Sequence, residues 1–197
     1  MKLVIIKYNA GNVRSVQFAL ERLGIEPVLS DDPFVILSAD KILFPGVGEA
    51  SSAMDYLKQR GLDNVILDAN QPFLGICLGM QLMCSHSEEN DTPCLGIFPE
   101  TVKRFVANEA QIKIPQIGWN TILDLKTPLF KDVEENSHCY FVHSYYASLG
   151  NHTIAQTDYC GGFSAALQTR NFYGVQFHPE KSAEAGSTII KNFLNIT

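Results

Sequence analysis

The sequence predicts an α/β fold: a doubly wound, mostly parallel sheet with an added mixed or antiparallel β layer in the C-terminal half. Short apolar runs alternate with segments of helical periodicity up to about residue 85, the pattern of βαβ units. After the polar loop 88–93 the chain changes to short β runs joined by tight turns. An amphipathic segment, 183–196, closes the chain as a helix.

In the N-terminal half, the β-branched segment 2–7 predicts the first strand. Apolar residues then recur at helical spacing, with Asn12 a suitable N-cap and Gly24 a suitable C-terminal stop. A strand on each side of this helix makes a βαβ unit, which implies parallel pairing. The other elements expected in this half are strands at 25–30 and 41–44, helices at 51–60 and 62–69, and a strand ending at Cys77.

The C-terminal half predicts β-structure because aromatic and β-branched residues cluster between turn residues. Gly161-Gly162 and Asn171 suit tight hairpins. No internal repeat, low-complexity segment or linker interrupts the chain, so we expect a single domain over 1–197. The expected strands are 101–105, 121–125, 138–147, 153–159, 163–169 and 172–177.

Composition narrows the function classes. A net charge of −6 argues against nucleic acid or an anionic membrane surface as the main partner. No apolar run approaches the ~20 residues that span a bilayer, and the N-terminus lacks the features of a signal peptide. The 5 cysteines are irregularly spaced without a C-x-x-C pair, which makes a disulfide framework or zinc site unexpected. We therefore expect a cytoplasmic protein without a metal or cofactor.

The stretch Gly75-Ile76-Cys77-Leu78-Gly79-Met80-Gln81 has the pattern of a nucleophile elbow, with cysteine in the place of serine. An apolar strand stops at Cys77 and a helical pattern begins directly after it. Glycines two residues before and after the cysteine suit so sharp a bend. The helix N-terminus favours a thiolate. A buried cysteine that merely packs in the core is the alternative, and on this stretch alone the two interpretations are evenly matched.

A base for the thiol is found in His178-Pro179-Glu180, directly after the predicted strand 172–177. A nucleophile needs a group to take its proton, and that base needs a third group to fix its tautomer. Glu180 is close enough in sequence to do so. Of the other histidines, His143 is interpreted as structural. His86, His138 and His152 have no comparable partner in the sequence and are taken as surface or packing residues.

The oxyanion of an acyl-transfer reaction needs backbone N–H donors. The residue after the nucleophile, Leu78, supplies one, and the glycine-rich turn 45–48 is the obvious source of the second. A plain strand-to-helix turn is the alternative interpretation of 45–48. It is not a phosphate-binding loop, because the Gly-Lys-Ser/Thr ending is missing.

Gly-Ile-Cys-Leu-Gly-Met-Gln with the downstream His-Pro-Glu resembles the class I (triad) glutamine amidotransferases. Further segments are similar to the glutaminase subunits of imidazole glycerol phosphate synthases in histidine biosynthesis, and the resemblance runs from the first strand to the last helix. These segments are Gly11-Asn12, Pro45-Gly46-Val47-Gly48, Ser87-Glu88-Glu89, Pro115-Gln116-Ile117-Gly118-Trp119-Asn120 and Tyr140-Phe141-Val142-His143-Ser144-Tyr145.

The resemblance implies a flavodoxin-like fold and hydrolysis of L-glutamine to glutamate and ammonia through a thioester on Cys77. It implies His178 as general base and then acid, and Glu180 as the group that orients it. It also assigns the oxyanion hole to the backbone of Val47 and Leu78. Residues implied to hold glutamine are Gly48, Gln81, Glu89, Ser144 and Tyr145.

The resemblance further implies a heterodimer with a (β/α)₈ cyclase subunit that receives the ammonia and makes imidazole glycerol phosphate and AICAR. The implied docking residues are Asn12, Gly118, Trp119, Asn120 and Lys181. Trp119 by itself fits an ordinary core aromatic equally well. Lys7, Asn9 and Gln116 stand where the family more often has Asp, Gly and His, and all three are expected on the partner side.

Three other interpretations compete with this one. A triad amidotransferase subunit of another synthase, or a paralogue serving sugar amidination, is the nearest; the Gly118-Trp119-Asn120 turn and the small stand-alone chain favour histidine biosynthesis. A cysteine hydrolase such as a peptidase is the second, against which Gln81 and Glu89 favour a glutamine pocket. A non-catalytic regulatory subunit is the third, and it is expected to lose a member of the triad.

Overall fold

A computed structural model describes residues 1–8, 13–107 and 113–197 of the protein. Its strands and helices alternate through the N-terminal half, and most strands of the C-terminal half follow one another directly. The strands are β1 Leu3–Ile6, β2 Val28–Ser30, β3 Lys41–Gly46, β4 Phe73–Cys77, β5 His86–Ser87, β6 Thr92–Pro93, β7 Thr101–Arg104, β8 Gln116–Thr121, β9 His138–His143, β10 Tyr145–Ala147, β11 Thr153–Asp158, β12 Gly162–Thr169 and β13 Phe172–Val175. The helices are α1 Val13–Glu21, α2 Pro33–Leu37, α3 Ala50–Gln59, α4 Leu62–Leu67, α5 Leu78–Met83 and α6 Ala183–Asn195.

The central sheet has 7 strands in the order β11-β12-β13-β4-β3-β1-β2. The five strands from β13 to β2 pair in parallel, whereas β12 and β11 add antiparallel strands beyond β13. The parallel part has the order 2-1-3-4-5 of flavodoxin-like folds once β13 is taken as the fifth strand. The predicted doubly wound, mostly parallel sheet is therefore confirmed.

Two smaller sheets form the expected additional β layer. One is a mixed sheet in the order β10-β7-β5-β6, and the other is the antiparallel pair β8-β9. The second pair carries the segment after Pro115 and the segment 138–143. Because the parallel strands all end at the same edge of the central sheet, β3, β4 and the chain after β13 bring their following residues together there.

Alternate residues of the central strands face two apolar layers, since side chains in a strand point to opposite faces in turn. Phe44 and Phe73 belong to the layer that also contains the buried residues of α2, α3, α4 and α5. Leu43 and Leu74 belong to the layer that contains the buried residues of α1 and α6. Burial on both faces explains why these strands are almost continuously apolar.

Several elements differ from the prediction. Helix α2 was not expected, although Asp32 accepts hydrogen bonds from the N–H groups of Phe34 and Val35 and Pro33 occupies the first turn. The strand expected at 121–125 is wrong: the strand is β8, which ends at Thr121. Asp124 has a φ of 55°, which extended backbone does not allow, and only Leu123 forms an isolated bridge.

The remaining differences concern element boundaries. The segment expected as one strand at 138–147 is divided at Ser144, because β9 pairs with β8 whereas β10 pairs with β7. The second strand begins at Val28 rather than at residue 25. Gly24 has a φ of 77° beyond the end of α1, which agrees with its predicted role as a helix stop. The expected N-cap, Asn12, lies outside the described residues. Within the described ranges, no helix has the length and apolarity needed to cross a membrane.

Candidate active site

The elbow at Cys77 is present as predicted. Strand β4 ends at Cys77 and helix α5 begins at the next residue. Cys77 has φ 55° and ψ −111°, a conformation that residues with a side chain rarely adopt. Backbone of this kind costs about 1–3 kcal/mol and persists only where the surrounding structure holds it in place. The surrounding structure therefore holds Cys77 in a strained conformation at the junction of β4 and α5.

Two glycines allow this bend. A Cβ on Gly75 would lie 2.8 Å from the amide nitrogen of Met80, and a Cβ on Gly79 would lie 2.9 Å from the carbonyl carbon of Phe44. Both distances are shorter than an ordinary carbon contact of about 3.5–4.0 Å. The prediction that this stretch has no room for Cβ atoms is confirmed, and the close approach of α5 to β3 depends on it.

The Cys77 side chain is buried against two neighbouring elements. Its exposed fraction is 6%, and its sulfur lies 3.9 Å from the carbonyl oxygen of Val142 in β9. The side-chain amide of Gln176 donates to the same sulfur over 3.7 Å. Burial alone would suit a packing cysteine, so the assignment depends on what else lies beside the sulfur.

His178 and Glu180 form a buried pair beside Cys77. His178 Nδ1 lies 2.8 Å from Glu180 Oε1, and the side chains are 2% and 0% exposed. A carboxylate accepts, so Nδ1 carries the proton and Nε2 is left for the sulfur. Burial lowers the pKa of His178, but its interactions with the Cys77 sulfur and the Glu180 carboxylate outweigh burial and raise this pKa to about 10. The three side chains are thus brought together in the order that nucleophilic catalysis requires.

A cavity of about 310 Å³ opens at the elbow. Its size is in the range of small-molecule sites. His178 and Glu180 are not among its lining residues and lie behind Cys77. The sequence-predicted residues that line it are Val47, Gly48, Cys77, Leu78, Gln81, Glu89, Ser144 and Tyr145, and Pro115, Val142 and His143 complete the wall.

Two polar side chains in the cavity wall are held by hydrogen bonds. Gln81 is 4% exposed, and its Nε2 donates to the Tyr145 carbonyl oxygen at 2.7 Å and to Gln176 Oε1 at 2.9 Å. Glu89 Oε2 accepts the N–H of Ala50 at 2.8 Å, at the start of α3. Burial raises the pKa of Glu89 despite this hydrogen bond. The cavity therefore presents one acidic group and one oriented amide.

The residues expected to dock a partner lie on a separate, exposed face. Trp119 is 54% exposed and contacts the edge of the Tyr140 ring, so the alternative of a core aromatic is wrong. Lys181 is exposed, with its Nζ 5.8 Å from the centre of the Tyr140 ring. Gly118 and Asn120 lie on either side of Trp119 in β8, and Asn12 is outside the described residues. Gln116, expected on this side, is buried.

Comparison with protein families gives a match to the model described as glutamine amidotransferase class-I, over residues 6–196. The chain belongs to the class-I glutamine amidotransferase family. Its nucleophile elbow, buried His–Glu pair and cavity are the features that the resemblance led us to expect, and glutamine amidotransferase is its enzyme class.

Individual proteins are similar to this amidotransferase over its whole length. The imidazole glycerol phosphate synthase subunit HisH of Bacteroides fragilis (strain YCH46) is 56% identical over 196 residues, covering 100% of both chains. The subunit of the same description from Vibrio parahaemolyticus is 47% identical over 202 residues, covering 99% of this chain and 98% of that one. A crystal structure of PurLQS from Thermotoga maritima superposes with a TM-score of 0.72 at 18% identity, covering 98% and 97% of the two chains, and shows the shared fold.

Sequence reasoning missed parts of this amidotransferase site. His143 lines the cavity, and burial lowers its pKa to about 4 while its Nδ1 donates to the Tyr145 carbonyl at 2.7 Å. The side-chain amide of Gln176 contacts the sulfur. Gln176 could have been found from the sequence, because it lies two residues before His178 and alternate residues of an extended chain point to the same face. The statement that His86 and His152 have no comparable partner was wrong.

Those two histidines have carboxylate partners away from the cavity. His86 Nε2 lies 3.0 Å from Asp91 Oδ1, and His152 Nδ1 lies 3.1 Å from Glu100 Oε1. Neither histidine lines the amidotransferase cavity. The choice of His178 as the candidate base is therefore unchanged.

Proposed function

We propose that this chain is the glutaminase subunit of an imidazole glycerol phosphate synthase in L-histidine biosynthesis, acting in the cytoplasm. It hydrolyses L-glutamine to glutamate and ammonia and supplies the ammonia to a cyclase subunit. The observation that carries the proposal is a strained cysteine beside a buried His–Glu pair, at the mouth of a cavity of about 310 Å³. The relatives that match over the whole chain support this synthase over other synthases that use a triad amidotransferase subunit.

The first half of the reaction forms a thioester. The Cys77 thiol gives its proton to His178, the sulfur attacks the side-chain carbonyl carbon of glutamine, and the carbonyl electrons move to oxygen. His178, whose raised pKa of about 10 favours the imidazolium, donates its proton to the leaving nitrogen. Ammonia departs as the carbonyl re-forms. Glu180 holds Nδ1–H throughout and stabilises the positive ring.

The second half releases glutamate. Neutral His178 takes a proton from water, whose oxygen attacks the thioester carbon. The carbon–sulfur bond then breaks, and the Cys77 thiolate and the His178 imidazolium are restored. The proton taken in this half replaces the one given to ammonia, so the enzyme is unchanged after one turnover.

Backbone N–H groups of Val47 and Leu78 stabilise the oxyanion in both halves. Leu78 follows the nucleophile, and Val47 follows Gly46, which pairs with Cys77 across β3 and β4. Gly48 contacts the bound substrate through its backbone. Glu89 faces the substrate ammonium, a pairing of opposite charges, whereas Gln81, Ser144 and Tyr145 hold the rest of the amino-acid end.

Ammonia released into water near neutral pH is mostly protonated and loses its nucleophilicity, so direct transfer to a partner is an advantage. The proposed partner is a (β/α)₈ cyclase subunit in a heterodimer, which uses ammonia to make imidazole glycerol phosphate and AICAR. Its docking face includes Trp119 and Lys181. Ile117, on the same side of β8 as Trp119, is 64% exposed and gives this face an apolar centre.

The docking face is joined to the catalytic pair through the backbone. The carbonyl of Tyr140, whose ring lies between Trp119 and Lys181, accepts the N–H of His178 at 2.9 Å. A partner seated on Tyr140 therefore contacts the strand that positions the base. This continuity favours a glutaminase whose activity responds to its partner.

The test is co-purification with the cyclase, followed by glutaminase and synthase assays of Cys77→Ala and of Cys94→Ala as the matched control. We expect weak glutaminase activity in the isolated chain and a sharp rise in the complex with its nucleotide substrate. Cys77→Ala should lose glutamine-dependent synthesis and keep synthesis from ammonium salts, whereas Cys94→Ala keeps both. Glutamine consumption by Cys77→Ala would contradict the assignment of the nucleophile.

A further inference from the structure

Gln176 is a completely buried polar residue that the reaction described above does not use. It follows β13 and precedes the catalytic histidine by two residues, and its backbone N–H donates to the Ala165 carbonyl at 2.8 Å. Its side chain has two contacts: Oε1 accepts from Gln81 Nε2 at 2.9 Å, and Nε2 donates to Cys77 Sγ at 3.7 Å. Gln176 is therefore a buried amide in direct contact with the nucleophile.

A backbone carbonyl determines which way this amide faces. The Tyr145 carbonyl can only accept, so Gln81 must present its NH₂ group there, at 2.7 Å. The second N–H of that group then donates to Gln176, whose side-chain oxygen must be the acceptor. The NH₂ group of Gln176 is consequently the end left for the Cys77 sulfur. Both glutamines are buried, so water does not compete for these hydrogen bonds.

We propose that Gln176 is a hydrogen-bond donor to the nucleophile that stabilises the thiolate form of Cys77, and that Gln81 holds it in the donating orientation. The inference rests on the proposed function, because it concerns the same sulfur. A buried anion is costly unless donors surround it. His178 supplies a charged donor to the sulfur, and Gln176 supplies a neutral one, so the thiolate has two donors both before it attacks and after the thioester is cleaved.

The arrangement links substrate binding to the nucleophile. Gln81 lines the cavity in which the amino-acid end of glutamine binds, and it is one hydrogen bond from Gln176. A substrate that draws Gln81 into a different orientation would also change the donor at the sulfur. Gln81 is therefore both a wall of the cavity and the positioning residue for Gln176.

The groups that can titrate near Cys77, within the described chain, come from three elements. Tyr8, beyond β1, has a pKa raised far above its usual range by burial and then by Cys77, and it stays neutral. His143 in β9 has a pKa lowered to about 4 by burial and is neutral above that pH. His178 and, behind it, Glu180 follow β13. Helix α5 carries no charged residue. The pKa of His178, raised to about 10, lies in the alkaline range, so His178 is the partner whose charge the measured profile must take into account.

The experiment measures how fast iodoacetamide alkylates Cys77 from about pH 5 to about pH 10, with peptide mass spectrometry identifying the modified cysteine. The variants are Gln176→Met, which removes the donor at similar length, and Gln176→Glu, which replaces the amide by a carboxylate. The control is Gln168→Met, because Gln168 is a half-exposed glutamine in β12 whose side-chain amide donates to the Arg170 carbonyl in the following turn. The pH profile is a readout that a purely structural role would leave unchanged.

For Gln176→Met we expect the midpoint of alkylation to rise by about one pH unit, which is about tenfold slower alkylation near neutral pH. Gln176→Glu should shift the midpoint further, because a carboxylate adds negative charge beside the sulfur. Gln81→Met should shift it in the same direction by less, and Gln168→Met should match the wild type. Profiles of folded Gln176→Met and wild type that coincide would overturn the inference.

If the Gln176 variants fail to fold, the wild-type protein still provides the test. In the ¹⁵N-labelled chain, the side-chain NH₂ signals of Gln176 should move with the alkylation midpoint, whereas those of Gln168 should not. Side-chain NH₂ signals of Gln176 whose chemical shifts stay constant across the alkylation midpoint would overturn the inference. Alkylation does not require glutamine turnover. A wild-type complex that fails to hydrolyse glutamine would therefore refute the proposed function separately.

Discussion

The substitution Gly79→Ala tests whether the close approach of α5 to β3 positions the nucleophile. The added Cβ would overlap the Phe44 carbonyl oxygen, and it would lie 2.9 Å from the Phe44 carbonyl carbon and 3.4 Å from Phe44 Cδ1. Unstrained contacts are about 3.5–4.0 Å, so relief of this overlap requires α5 to move away from β3 by more than roughly 1 Å. Because the overlapping atoms belong to the Phe44 backbone in the middle of the central sheet, we expect the helix to move rather than the strand. Leu78 and the Cys77 elbow are at the end of that helix and move with it.

A displacement of about 1 Å in a catalytic geometry can cost about 100-fold in rate. We therefore expect kcat/KM for glutamine in the complex to fall by about 100-fold. Overpacking costs about 1–3 kcal/mol, and more where backbone has to move, and alanine is better than glycine in a helix by about 1 kcal/mol, so the free energy of unfolding should fall by about 2 kcal/mol or more. Activity and stability should thus both fall, and both are measured.

The assay combines steady-state glutaminase kinetics with urea unfolding. Gly162→Ala is the matched control, because among the described residues the added Cβ would meet Leu149 Cδ1 alone, at an ordinary 3.5 Å. Gly162 lies in β12, away from the elbow. If Gly79→Ala keeps kcat/KM within about twofold of the wild type, the geometric reasoning about the elbow is refuted.

Three further predictions concern the base, the docking face and a helix cap. Glu180→Gln should lower glutaminase kcat by about 10²- to 10⁴-fold, less than Cys77→Ala. It should also move the alkaline limb of the pH–rate profile to lower pH, because a group that raises the His178 pKa is lost; an unmoved limb would remove Glu180 from the mechanism. Trp119→Ala should raise the Kd for the cyclase about 30-fold in calorimetry, as expected for an aromatic anchor worth about 2 kcal/mol, and an unchanged Kd would place docking elsewhere. Asp32→Ala should reduce the free energy of unfolding by about 1 kcal/mol in denaturant titration without affecting activity, because Asp32 Oδ1 accepts the first N–H groups of α2; no loss would mean that water replaces the cap.

The catalytic residues could be proposed from the sequence because each belongs to a short, recognisable stretch. Cys77 stands between two glycines at a change from strand to helix, and His178 and Glu180 are two residues apart. The resemblance supplied the pocket residues, and eight of them line one cavity. Helix α2 could also have been predicted, since Asp32 followed by Pro33 is a typical helix start.

Other features depended on contacts that no local pattern reveals. Trp119 fits a core or a surface equally well until its exposed fraction of 54% is known. The segment 121–125 has a strand-like composition, yet Glu135 accepts the N–H groups of Asp124 and Leu125 and turns the chain. The low pKa of His143 arises from burial among elements that are distant in sequence.

By itself, the sequence determined the alternation of strands and helices and singled out Cys77 and His178 as the candidate nucleophile and base, because backbone preferences and turn chemistry act over a few residues. Only the tertiary structure decided which atoms meet. The hydrogen bonds from Gln81 to Tyr145, from Gln81 to Gln176 and from Gln176 to Cys77 join residues 64, 95 and 99 positions apart. Such pairs depend on the order of strands in the central sheet, which places β13 beside β4, and on the packing of β9 from a second sheet near the same sulfur.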